Sequence, residues 1–92
     1  MPYQLTEFNG RSDYGPFIEN GVPAGGLASG AEGIKSMEQR EKFGGLANTA
    51  FDPCYHLVCD TVDNVNKDSL ITMAKAAAYA VQTLAVANLD NL

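Results

Sequence analysis

Residues 52–61 read Asp52-Pro53-Cys54-Tyr55-His56-Leu57-Val58-Cys59-Asp60-Thr61 and hold the only histidine and both cysteines of the chain. Four of these side chains can do chemistry: Cys54, Tyr55, His56 and Cys59. Three arrangements of the sulfurs are open. A disulfide would close a six-residue segment, counting both ends. It would stabilise the fold by roughly 2 kcal/mol in the chain-entropy picture and pin the backbone on both sides of Tyr55 and His56. Two buried free thiols are the second arrangement. A zinc site on Cys54, His56 and Cys59 is the third, but structural zinc wants four ligands in paired short spacings, and no second Cys/His pair exists. A lone histidine such as His56 is more often structural or merely exposed than a ligand, and its spacing alone does not make it one. No G-x-S-x-G nucleophile elbow is present, which makes a Ser-His-Asp triad a poor reading. The Tyr55 hydroxyl has the chemistry to donate to a developing oxyanion, or the ring serves only as packing.

The chain that must position these groups has 92 residues, room for one small domain or part of a larger one. At that size burial is limited, so a disulfide, a metal or further protein surface is expected to help. Six basic against eleven acidic residues give a net charge of −5. That balance argues against nucleic acid and anionic membranes as partners, because their phosphates demand a basic face. No apolar stretch reaches the length of a membrane span. Residues 1–8 show neither the basic start nor the apolar run of a signal peptide. An exported chain is therefore expected to draw its leader from outside this sequence.

All nine glycines and four prolines fall within residues 1–53. A loop-rich N-terminal part is thus expected to precede a helical C-terminal part. Residues 1–10 read as a short extended piece with a turn at Asn9-Gly10. Ser12 is placed to cap a short helix, with Asp13 in its first turn and a stop at Asn20-Gly21. Residues 24–28 suggest a strand, whose glycine pair admits a close neighbour, or else a buried loop. Ser36-Met37-Glu38-Gln39 is a capping box opening a helix to Phe43, ended by Gly44-Gly45. Asn66 is placed to cap a long helix over residues 67–87, with Asp68 in its first turn. Leu70, Met73, Ala74, Ala77, Val81, Leu84 and Ala85 recur at helical spacing, the stripe of a helix that covers a sheet or a partner.

Four blocks, taken together and in order, carry a family resemblance. They are Gly10-Arg11-Ser12-Asp13-Tyr14-Gly15-Pro16-Phe17, Gly21-Val22-Pro23-Ala24-Gly25-Gly26-Leu27, Gly44-Gly45, and the run from Asp52 through Asn64. They resemble the C-terminal part of the M28 family of zinc aminopeptidases, nearest in character to its secreted bacterial and fungal-vacuolar leucine-type members. The resemblance implies an α/β class: part of a three-layer αβα zinc-peptidase fold, with short helices, one or two strands and a long C-terminal helix. It implies two zinc ions that polarise the scissile carbonyl and activate a bridging water. His56 matches a zinc ligand of that family, and Tyr55 the tyrosine that steadies the tetrahedral intermediate. Cys54 and Cys59 match a bracketing disulfide, which implies an oxidising, secreted or vacuolar setting. Arg11, with Ser12 and Asp13, matches the segment lining the substrate's free amine end. Leu27 to Ser29 match the strand end bordering the pocket for the first side chain.

Three departures qualify the resemblance. Ala28 stands where some relatives carry an aromatic residue, so the pocket is expected to be wider or differently filled. Ile71 and Lys75 occupy places where some relatives bind calcium through aspartates, so calcium is not carried over. The other zinc ligands and the general base lie upstream in the family pattern, and a lone imidazole does not assemble a two-metal site. The expectation is therefore part of a zinc aminopeptidase that removes N-terminal residues from peptides and is inactive as this segment alone. Its partners would be the peptide substrate and either the N-terminal part of the catalytic domain or copies of itself. The alternative is a non-catalytic, self-assembling structural protein.

Overall fold

In the computed structural model, which describes residues 1–88, the helices begin where a side chain or a proline prepares the first turn. Helix α1 spans Gly15–Glu19, with Pro16 preset for the first turn. Its N-cap is Tyr14 rather than Ser12, and no side chain caps it. Ser12 lies too far ahead; its carbonyl instead accepts a 3.3 Å bond from the Gly15 N–H, closing a turn before the helix. Asp13 likewise falls outside the first turn. Tyr14 steadies the entry: its hydroxyl oxygen accepts from the Gly10 N–H at 2.8 Å, and its ring meets Phe8 edge-on at 4.6 Å. The helix stops as expected at Asn20, followed by Gly21 at φ +76°.

Helix α2 spans Met37–Phe43 and carries the complete capping box. The Gln39 N–H donates to Ser36 Oγ at 3.1 Å, and the Ser36 N–H donates to Gln39 Oε1 at 2.9 Å. Gly44 and Gly45, both at positive φ, end it. Helix α3 spans Lys67–Ala85, opened by Asn66, whose Oδ1 accepts from the Ser69 N–H at 2.9 Å. It ends two residues before the expected position 87: past Val86, the Ala87 N–H donates to the Leu84 carbonyl at 3.2 Å instead of continuing the helical ladder.

Residues 24–28 form no strand. A strand exists through its pairing, and no described residue pairs with this stretch. The extended pairing that does form lies elsewhere, in a short antiparallel ladder centred on a bridge between Ile34 and Ala50. Around it the Lys35 N–H donates to the Thr49 carbonyl (2.9 Å), Asn48 N–H to the Lys35 carbonyl (2.7 Å), Phe51 N–H to the Gly33 carbonyl (2.9 Å) and Asp52 N–H to the Ala31 carbonyl (2.8 Å).

The described residues fall into two compact units, one from Met1 to Tyr55 and one from His56 onward. No described residue of either is buried. The accessible surface of the chain is 7864 Å², where a folded monomer of 9.8 kDa should expose about 5,200 Å². The stripe on α3 stays open to solvent, with Val81 70% and Leu70 57% exposed. No described helix is long and apolar enough to cross a membrane.

Local capping therefore carries much of the order in α3. Replacing Asn66 with Ala should destabilise that helix by about 1 kcal/mol. Circular dichroism at 222 nm would report it as reduced helicity, whereas the exposed Gln82→Ala should leave the signal intact.

Candidate active-site loop

The ladder delivers the chain to Asp52 in a defined place. Phe51, the residue before it, is wedged against Gly30, where an added Cβ would overlap the ring and where φ is +105°. The Phe51 ring also meets Phe43 edge-on at 6.4 Å. Lys35 Nζ lies 5.0 Å from the Phe51 ring centre and donates to the Gly44 carbonyl at 2.8 Å. One lysine thus ties the end of α2 to the residue that precedes the loop. From there Asp52 turns the chain: its Oδ1 accepts from the Cys54 N–H at 3.0 Å, and its carbonyl from the Tyr55 N–H at 3.3 Å. Pro53, fixed in φ, is the natural occupant of the intervening position.

Cys54 and Cys59 are joined by a disulfide. Both sulfurs are therefore spent, which overturns the free-thiol reading and the Cys–His–Cys zinc module, since zinc takes thiolates. Inside the ring His56 sits at φ +57°, the left-handed region. A histidine visits that region more readily than most residues, yet still at roughly 1–2 kcal/mol. The ring contributes a similar amount, roughly 2 kcal/mol for six residues. The covalent link is thus of the right size to hold His56 in this conformation. Tyr55 is half-buried and His56 is exposed. Beyond the ring, the Asp60 N–H donates to the Leu57 carbonyl (3.0 Å), Thr61 N–H to the Cys59 carbonyl (2.8 Å) and Asn64 Nδ2 to Asp60 Oδ1 (3.1 Å). A single 3-10 turn at Val62–Asn64 then leads to α3.

The remaining candidates lie apart from this loop in sequence. Arg11 is exposed and forms an ion pair with Glu32, a residue that the pattern of the sequence did not single out. Nothing local could have revealed it, because the two belong to different loops and share no periodicity. Asp13 is exposed just ahead of α1, and Ala28 is exposed in the irregular stretch between α1 and α2. An open cleft of about 310 Å³ flanks the ladder, lined by Lys35, Gly45, Leu46, Thr49, Ala50, Phe51 and Pro53. It includes none of the predicted site residues. Among the described residues no cluster of three or more His, Cys, Asp or Glu side chains could hold a metal ion.

The family model described as Peptidase family M28 matches residues 1–81, which takes in every candidate from Arg11 to Cys59. The chain belongs to peptidase family M28. Its curated relatives include fungal leucine aminopeptidases. The chain is 51% identical over 84 residues to the probable leucine aminopeptidase 2 of Aspergillus fumigatus, covering 91% of this chain and 17% of the relative. It is 51% identical over 80 residues to leucine aminopeptidase 2 of Arthroderma otae, covering 87% and 16%. Leucine aminopeptidase 2 of Trichophyton rubrum is 51% identical over 81 residues, covering 88% and 16%. The chain thus spans about one sixth of the length of the curated relatives it matches.

In this M28 chain the sulfurs give a simple test. Thiol titration in denaturant should find no free thiol before reduction and two after it. Two titratable thiols in the unreduced chain after chelation would restore the zinc-module reading.

Proposed function

We propose that this chain forms part of the catalytic domain of an M28 aminopeptidase that removes N-terminal residues from peptides, with preference for apolar residues such as leucine. The observation that supports it best is the presentation of His56: an exposed imidazole on left-handed backbone, inside a disulfide ring, in a chain matched to the family across residues 1–81. Backbone strain of this kind persists where surrounding structure over-determines it, and functional sites are where it collects.

In this reading His56 donates one ring nitrogen to a zinc ion. The Tyr55 hydroxyl donates a hydrogen bond to the oxyanion that forms at the scissile carbonyl, where a positioned donor is worth most. Arg11 and Asp13 border the substrate's amine end, with Glu32 holding the guanidinium in place and offsetting its charge. Ala28, lacking an aromatic ring, leaves room beside the first side chain. The parent fold is the three-layer αβα architecture, in which α3 covers the sheet. The setting is secreted or vacuolar, in keeping with a disulfide, which persists in oxidising compartments. The described residues alone do not fit a two-zinc site, since they hold no cluster of three ligands. In this reading the remaining zinc ligands and the general base come from the upstream part of the family pattern, and the 92 residues by themselves are inactive.

With zinc added, the isolated chain should not hydrolyse leucine p-nitroanilide. Chelator-sensitive turnover would overturn that. Placed in the Aspergillus fumigatus relative in exchange for the segment it matches, the chain should support turnover. In that hybrid Tyr55→Phe should lower kcat by about 10²-fold, the usual loss of one oxyanion donor. A drop confined to KM would assign Tyr55 to binding instead.

A second reading, self-assembly, draws on the exposed apolar surface. The chain exposes about 2,700 Å² more than a folded monomer of its mass would, while one side of a standard protein interface buries about 800 Å². Size-exclusion chromatography separates the two: large regular particles favour assembly, and a species that becomes monomeric and ordered on adding the rest of an M28 domain favours the peptidase.

A further inference from the structure

We propose that Cys59 is a thiol–disulfide exchange site, and that opening the ring there releases His56 from its left-handed backbone. The two sulfurs are not equivalent. Cys59 is exposed, whereas Cys54 is half-buried and its N–H is held by Asp52 at 3.0 Å. Attack needs access along the S–S axis, and exposed disulfides are the labile ones. The ring is also the covalent constraint that surrounds His56 at φ +57°. When the ring opens, the Cys54 side stays anchored to the ladder through Asp52, while the 55–59 backbone regains its freedom. An L-residue so released returns to right-handed or extended backbone.

The reductant is a dithiol. One of its thiolates attacks Cys59 Sγ, the S–S bond breaks, and the electron pair leaves on Cys54 Sγ, which takes a proton from water. The second thiolate of the reductant then attacks its own sulfur in the mixed disulfide. Cys59 leaves as thiolate and is protonated, and the dithiol ends as a disulfide, having given two electrons to the protein. Oxidation in a secretory or vacuolar setting runs the same steps backwards and sets the histidine. The consequence for metal capture rests on the zinc-ligand reading of His56; the opening itself does not.

The test uses the full 92-residue chain, labelled with 13C and 15N, without metal. Titration with dithiothreitol should move the His56 Cα and Cβ shifts from left-handed to coil values as two thiols become alkylatable. The Ser36 and Gln39 shifts of the capping box should hold. His56 shifts that stay put after complete reduction would overturn the proposal, as would collapse of the capping-box shifts in step with them. The double variant Cys54→Ser, Cys59→Ser should show the reduced His56 shifts with or without dithiothreitol, and left-handed shifts there would also overturn it. Limiting glutathione followed by acid quench and peptide mapping identifies the attacked sulfur. An adduct several-fold richer on Cys59 is expected; an equal or reversed ratio rejects the assignment. Because no arm contains metal, failure here is distinct from failure of the zinc reading.

Discussion

The disulfide between Cys54 and Cys59 is the constraint on which the candidate site depends. No described residue is buried, so side-chain packing supplies little to hold the loop at residues 52–61 in one shape. A covalent ring does not need a core. It lowers the entropy of the open chain whatever surrounds it. The ladder from Ala31 to Lys35 and from Asn48 to Asp52 adds the second requirement, a fixed point from which the ring projects. Phe51 against Gly30, with Lys35 over its ring, makes that point rigid at the one place where a side chain on residue 30 could not be tolerated.

What could be read in the sequence follows the range of the interactions. The capping box at Ser36 and Gln39, the Asn66 cap and the body of α3 are local, and each appears where the pattern placed it. The stop of α1 at Asn20-Gly21 is local too. The start of α1 differs because two signals compete: Ser12 offers a cap, but Pro16, four residues on, sets the first turn and moves the N-cap to Tyr14. The strand expected over 24–28 does not form, for another reason. β-structure is a property of pairs, and the backbone bonds that would confirm it go instead to residues 31–35 and 48–52. The Arg11–Glu32 pair is non-local and charge-driven, so no spacing announces it. Of the loop, the residue types were evident and the backbone was not: any residue can be drawn to positive φ by ring closure, so the chain of letters is silent about it.

The exposure of α3 and the family match bear on each other. A helix with apolar residues at three- and four-residue spacing is built to be covered. Here Val81, Leu84 and Leu70 remain open. Relatives six times longer supply ample sequence to cover them, which is why the peptidase reading accounts for this surface with fewer assumptions than self-assembly does. Assembly of copies would account for the surface alone, and not for the match to peptidase family M28 over residues 1–81.

Positive φ alone does not mark that site. Ala31 and Asn48 also take left-handed backbone, and each belongs to the ladder: they stand at its two ends, where the chain must turn. Asn tolerates the region, and Ala31 is followed by the pairing that rewards it. His56 differs in what the conformation achieves. Glycine would adopt it freely, yet glycine has no imidazole. A disulfide closes around a histidine at a backbone position where glycine is the easy choice. That combination is the one the proposed zinc-ligand role of His56 asks for, whereas turning the chain alone asks only for the backbone.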